Sequence, residues 1–178
     1  TISAFTQAVK RGVPAIEIDV IRTLDSVLLC SHNFDLERKT DYDGYIDEMP
    51  YDKIKDANAA LNWNSTKEGM PRLEDVLKIV PKHVRLNIEI KSRSFNDVSA
   101  VRNVVELIKG EDFINRTIIS SFNPFVIWYV KLINPHILTG FLYNNMDYFF
   151  MINIVHPDCL HTKAELVSES LVKLAKQR

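Results

Sequence analysis

Cysteine is scarce in this chain: Cys30 and Cys159 are the two among 178 residues. Two thiols so far apart exclude a disulfide framework and a CxxC metal site. A reducing compartment, the cytoplasm, is therefore expected. Export stays open, because the chain opens at Thr1 directly into a helical pattern and residues are expected before it. Long apolar runs are also missing. The longest candidate, GFLYNNMDYFFMINIV, is broken by Asn144, Asn145 and Asp147, so no span of roughly 18 residues is available to cross a membrane. A surplus of either charge is lacking too. The formal net charge is −1, which argues against a generally basic nucleic-acid surface. Finally, neither GxGxxG nor GxxxxGK[ST] occurs, which weakens a nucleotide-binding reading.

What remains is an ordinary composition, 46% hydrophobic and 25% charged, with a regular alternation of patterns. TISAFTQAVKRG places Ile2, Phe5, Ala8 and Val9 on one helical face, with Gly12 as the stop. AIEIDV has period two: Ile16, Ile18 and Val20 on one face, Glu17 and Asp19 on the other. VLLCSH reads as a second strand, with TLDS as the turn between them. Residues 34–70 are polar and aperiodic, and read as an insertion holding at most short helices or strands.

Alternation resumes with PRLEDVLKIVP as a helix, VRLNIEIK as a strand, and NDVSAVRNVVELIKG as a helix ending at Gly110. RTIISSF follows as a strand. NPFVIWYVKLINP is a helix capped by Asn123 with Pro124 at its first position. HILTGFLY is a strand, MINIVHPD is read as another, and KAELVSESLVKLAKQ closes as a helix with Leu166, Leu171 and Leu174 on one side. Repeated strand–helix units predict a parallel sheet covered by helices. The fold class expected is α/β, of the TIM-type (β/α)₈ barrel rather than the open doubly wound sheet. A closed barrel takes about 250 residues, so residues 1–178 are expected to be one partial barrel domain, with 34–70 inserted in it.

The chemistry concentrates on two strands. If Ile16, Ile18 and Val20 face the helices, Glu17 and Asp19 face the interior. In LNIEIK, by the same rule, Leu86, Ile88 and Ile90 face the helices and Asn87, Glu89 and Lys91 face inward. Carboxylates are depleted in strands and costly to bury. Three sharing one interior would repel and take up protons. A divalent cation removes the conflict, and hard oxygen ligands suit Mg²⁺ or Ca²⁺. Glu17, Asp19 and Glu89 are therefore the candidate metal ligands. Lys91 adds a positive charge suited to an anionic substrate such as a phosphate. His32, at the end of the second strand, is the candidate general acid or base. Each feature has a plain alternative: surface-strand acids, a hydrogen-bonded structural histidine, a Lys91–Glu89 ion pair. Their coincidence in one frame favours function. His83, His136, His156 and His161 are read as structural or surface residues, and the FLYNNMDYFF aromatics as core or packing surface.

The stretch from TISAFTQAVKRG through SHNFDLERKT, with MPRLEDVLKIVP, LNIEIK, RTIISSFNP and HPD with its following helix, resembles the glycerophosphodiester phosphodiesterase family in order and spacing. The resemblance covers essentially the whole chain. It implies a TIM-type barrel with a small insertion after the second strand. It also implies hydrolysis of glycerophosphodiesters to sn-glycerol 3-phosphate and an alcohol with Ca²⁺ or Mg²⁺. By position, Glu17 and Asp19 match the family's ExD metal ligands, Glu89 its third carboxylate, His32 its second catalytic histidine and Lys91 a lysine near the phosphate. The family's His-Arg-Gly strand would precede Thr1 and its Trp-containing strands would follow Arg178. The chain is therefore expected to be part of a longer enzyme, inactive and poorly folded alone. Asn33 stands where the family usually has Asp beside the catalytic histidine. Two other readings remain: a phospholipase D-like enzyme on lysophospholipid or sphingolipid head groups, and a non-catalytic barrel that binds a phosphate ester.

Overall fold

The computed structural model describes residues 1–63 and 66–177. Positions 64 and 65 of the expected insertion, and 178, lie outside the described residues. The chain divides into two compact units, Thr1–Asn87 and Ile88–Arg178.

In the first unit, helix α1 (Ile2–Lys10) starts at Thr1, whose hydroxyl accepts the Ala4 N–H at 3.2 Å. It ends where Gly12 takes φ +71°, a left-handed conformation that side chains disfavour. Strand β1 (Ala15–Arg22) follows. Its alternation is as expected: Ile16, Ile18 and Val20 are buried, Glu17 is exposed and Asp19 half-buried. A tight turn then reverses the chain into β2 (Leu28–Cys30). Ser26 carries φ 75° there, and Thr23 organises the turn, its hydroxyl accepting from Val27 N–H and donating to Asp25. β1 and β2 pair antiparallel, Val20 opposite Cys30.

Residues 34–70 hold a 3₁₀ turn at Ile46–Glu48 and the one-turn helix α2 (Tyr51–Ile54). Despite its polarity the segment contributes to a core. Leu36, Ile46, Ile54, Ala57 and Met70 pack with Ile21 and Leu29. Helix α3 (Leu73–Ile79) buries Leu73, Val76 and Leu77. Strand β3 (Arg85–Ile90) begins in this unit, where Arg85 N–H donates to Pro14 O at 3.0 Å. The strand order here is β2-β1-β3.

The second unit continues β3 into the order β3-β4-β5-β6, with β4 (Thr117–Ser121), β5 (Leu138–Tyr143) and β6 (Cys159–Thr162). β4–β5 and β5–β6 pair parallel, as helix-connected strands do. Helix α4 (Val101–Leu107) is shorter than the pattern from Asn96 implies, because residues 92–97 fold as a loop around Asn123. A one-turn helix α5 (Glu111–Ile114) follows. Helix α6 (Pro124–Ile133) is capped as expected, Asn123 Oδ1 accepting from Phe125 N–H.

MINIVHPD departs from its expected strand. It forms a 3₁₀ turn ending at Met151 and helix α7 (Ile152–Val155). Met151, Ile152 and Val155 are buried against Phe141, Tyr143 and Ile127, and spacing of one and four residues is helical rather than alternating. His156, at φ 45°, terminates the helix, and the strand starts only at Cys159. The last helix, α8 (Glu169–Lys176), is capped by Ser168 and preceded by a 3₁₀ turn at Ala164–Leu166. Leu166, Leu171 and Leu174 pack on one core, as their spacing implies. Among the described residues no helix is long and apolar enough to cross a membrane.

Candidate active site

In the first unit, Glu17, Asp19 and His32 line one cleft of about 170 Å³, together with Thr1, Phe5, Ile18, Cys30 and Ser31. Period-two geometry puts both carboxylates on the same face of β1. His32 arrives from the partner strand by a less regular route. β2 stops at Cys30, so His32 lies beyond the strand rather than at its end. The path is held by two backbone bonds: Cys30 N–H to Pro71 O at 2.8 Å and Ser31 N–H to Asp19 O at 3.0 Å. The second ties the residue before His32 to the backbone of a candidate ligand.

His32 Nδ1 lies 3.0 Å from Asn33 Oδ1. An amide oxygen accepts only, so in this contact Nδ1 is the donor. Asn33 therefore supplies the orienting acceptor without a negative charge. The neighbouring Cys30 thiol is pushed up to about 12, chiefly by burial. It stays protonated at neutral pH and is a poor metal ligand there.

In the second unit, Glu89 is buried near the end of β3 and pairs with Lys91, Nζ to Oε1 2.8 Å. The plain alternative, an ion pair, is thus present, and it sets a cation beside the carboxylate. Ser121 Oγ donates to Ile90 O at 2.8 Å, and Asn123 Nδ2 reaches Ser92 Oγ at 2.9 Å. These bonds immobilise the chain that carries Glu89 and Lys91.

Of the other histidines, His83, His136 and His156 are exposed, as expected of surface residues. His161 differs. It is half-buried on β6, and its ring lies against Gly140 of β5. Burial lowers its proton affinity, and the Glu89 carboxylate pulls the other way, for a net shift below 6.5. The sequence signal for this placement was Gly140 itself, a glycine inside a strand pattern, which marks a close approach.

Comparison with known proteins gives this arrangement its context. The model of the Glycerophosphoryl diester phosphodiesterase family matches residues 1–178, and the chain belongs to that family. A glycerophosphodiester phosphodiesterase of Caldanaerobacter subterraneus subsp. tengcongensis is 33% identical over 146 residues, which is 80% of this chain and 60% of that protein. The chain spans about three fifths of the length of that protein and of two further curated relatives it matches. Among solved structures, a phosphodiesterase of Oleispira antarctica in complex with the product sn-glycerol-3-phosphate superposes with a TM-score of 0.87. It is 23% identical and covers 99% of this chain and 74% of that one. A glycerophosphodiester phosphodiesterase of Agrobacterium tumefaciens gives 0.79 at 21% identity, over 99% of this chain and 76% of that one. These likenesses show the fold, an α/β barrel of the TIM type. The six strands described here are fewer than the eight that close such a barrel.

Proposed function

We propose that the protein hydrolyses glycerophosphodiesters to sn-glycerol 3-phosphate and an alcohol, with a divalent cation, Ca²⁺ or Mg²⁺, and histidine acid–base catalysis. The observation that carries this reading is the cleft that Glu17, Asp19 and His32 share. Two carboxylates and an exposed imidazole with an oriented ring are the parts such a reaction uses.

The donor chemistry fits a cation. The ligands we propose for it are Glu17 and Asp19 of the first unit and Glu89 of the second, and all three offer hard carboxylate oxygens. Such a set suits Mg²⁺ or Ca²⁺ rather than a thiolate-seeking ion. When bound, the ion would polarise a phosphoryl oxygen and neutralise developing charge. The rest of the work falls to side chains. Lys91 supplies a fixed positive charge for the phosphodiester. His32, with its proton on Nδ1, can accept a proton at Nε2 and later return it to the leaving alkoxide. Asn33 keeps the ring from rotating out of that role.

The deciding experiment measures glycerol 3-phosphate release from glycerophosphocholine by the natural full-length protein, with and without chelator. Release should stop with chelator and resume with Ca²⁺ or Mg²⁺. Glu17→Ala should lose activity and metal binding together, whereas His32→Ala should lose activity and still bind metal. Chelator-insensitive release, or an active Glu17→Ala variant, would sink the proposal.

A further inference from the structure

The second unit contains a histidine that the reaction outlined above does not use. Phe141 and Tyr143 of β5 pack beside Ile127 of α6, and Leu160 of β6 packs on the same cluster. Alternation therefore turns Gly140, Leu142 and His161 to the opposite face of the sheet, away from the helix. β5 and β6 are in parallel register, Leu142 opposite His161. The His161 side chain leans back across Gly140. A Cβ added at Gly140 would meet its ring atoms Cε1, Nε2 and Nδ1 at 2.7, 3.0 and 3.1 Å. The ring thus occupies the space that any other residue at position 140 would fill.

Three further observations make this face more than a packing detail. His161 is the penultimate residue of β6 and Glu89 the penultimate residue of β3, so both stand near strand ends, where barrels of this type place their sites. The Glu89 charge is felt by the imidazole, so the two share one environment. Ser120 lies opposite Gly140 in the β4–β5 register, and its hydroxyl is fully buried with no hydrogen-bond partner among the described residues. A buried hydroxyl left unpaired is uncommon in a finished core, and it marks this face as one that accommodates a polar group.

We propose that His161 is a substrate-contacting residue, its ring held over Gly140 so that a ring N–H donates to the phosphodiester beside Glu89 and Lys91. The inference rests on the phosphodiesterase reading above and adds to it a residue that binds substrate rather than metal. Gly140 is the positioning residue, because it leaves the ring its seat.

The test uses the full-length protein with Mg²⁺ or Ca²⁺ bound, and measures both sn-glycerol 3-phosphate binding by calorimetry and turnover of glycerophosphocholine. His161→Ala should weaken product binding about tenfold or more, the loss of one charge-assisted hydrogen bond, and raise KM more than it lowers kcat. His161→Gln, which keeps an N–H donor and serves if the alanine variant does not fold, should recover part of the affinity. Gly140→Ala should weaken binding in the wild-type background and add nothing when His161 is already alanine, the non-additivity of two residues acting as one. Wild-type binding and KM in both His161 variants would overturn the inference. So would a Gly140→Ala effect that persists without the imidazole. Hydrolysis that needs Glu17 but ignores His161 overturns this inference alone. A full-length protein that neither hydrolyses the diester nor binds the product overturns the underlying reading as well.

Discussion

Lys91 Nζ lies 2.8 Å from Glu89 Oε1, and the two side chains retain only 16% and 12% of their exposure. A pair this sheltered couples site chemistry to stability. A carboxylate stripped of its cation in such surroundings is uncompensated, and the penalty exceeds what the ion pair itself contributes.

Replacing Lys91 with Met should therefore destabilise the metal-free protein by about 1–3 kcal/mol, after allowance for partial solvent access. Added Mg²⁺ or Ca²⁺ should restore more stability to the variant than to the wild type, since a bound ion would compensate Glu89 by other means. Thermal melts with and without metal check this, and equal metal-induced shifts in the two proteins would contradict it.

Asn33 accepts from the protonated Nδ1 of His32 at 3.0 Å. Asn33→Ala removes that acceptor and frees the ring to rotate and to change tautomer. kcat should drop about tenfold or more, with metal affinity unchanged. Asn33→Asp retains an acceptor at the same place and should stay active. Steady-state kinetics with parallel metal titrations separate these outcomes.

Asp158 joins three segments. Its carboxylate accepts from Thr139 N–H at 2.7 Å and from the Thr139 hydroxyl at 2.9 Å, and pairs with Lys131 at 2.6 Å. Burial opposes its charge, but Lys131 and Thr139 outweigh it and hold the carboxyl below its ordinary value of 3.8. A lowered carboxyl stabilises the fold above that ordinary value, and the contribution is lost as pH falls through the lowered one. Asp158→Asn should thus cost about 1 kcal/mol at neutral pH, discounted for exposure, and flatten the stability profile below that ordinary value. Urea midpoints across that range report it.

Asn123 holds the segment that follows Lys91. Its Nδ2 lies within reach of Ser92 Oγ at 2.9 Å and of the Ser94, Phe95 and Asp97 carbonyls at 3.1 Å, while Oδ1 caps α6. Asn123→Ala should cost about 2 kcal/mol as a lost cap and lost buried donors. Hydrogen exchange should speed up in residues 92–97 first. Asn123→Ser keeps a capping oxygen, and should recover helix stability but not the protection of that loop.

Where residues act through local repeat, the sequence was readable. AIEIDV declared both its faces, because a half-buried strand must alternate, and Glu17 and Asp19 followed from that. Asn123-Pro124 declared the start of α6, because a cap and a fixed φ act on the next turn of chain. MINIVHPD reads as a strand and folds as a helix, since a short apolar run looks alike as strand or helix until its burial is known. The segment from Asn96 reads as helix in sequence, because nothing local reveals that Asn123, far along the chain, draws residues 92–97 into a loop.

The chain's own pattern determined its α/β class, the acidic strand faces and the family to which it belongs, since these rest on periodicities a few residues long. Tertiary structure alone decided that His32 shares a cleft with the β1 carboxylates, that the polar segment 34–70 supplies part of a core, and that the His161 imidazole rests on Gly140. Each of these depends on which strands lie side by side, and strand pairing is a long-range choice that no local spacing records.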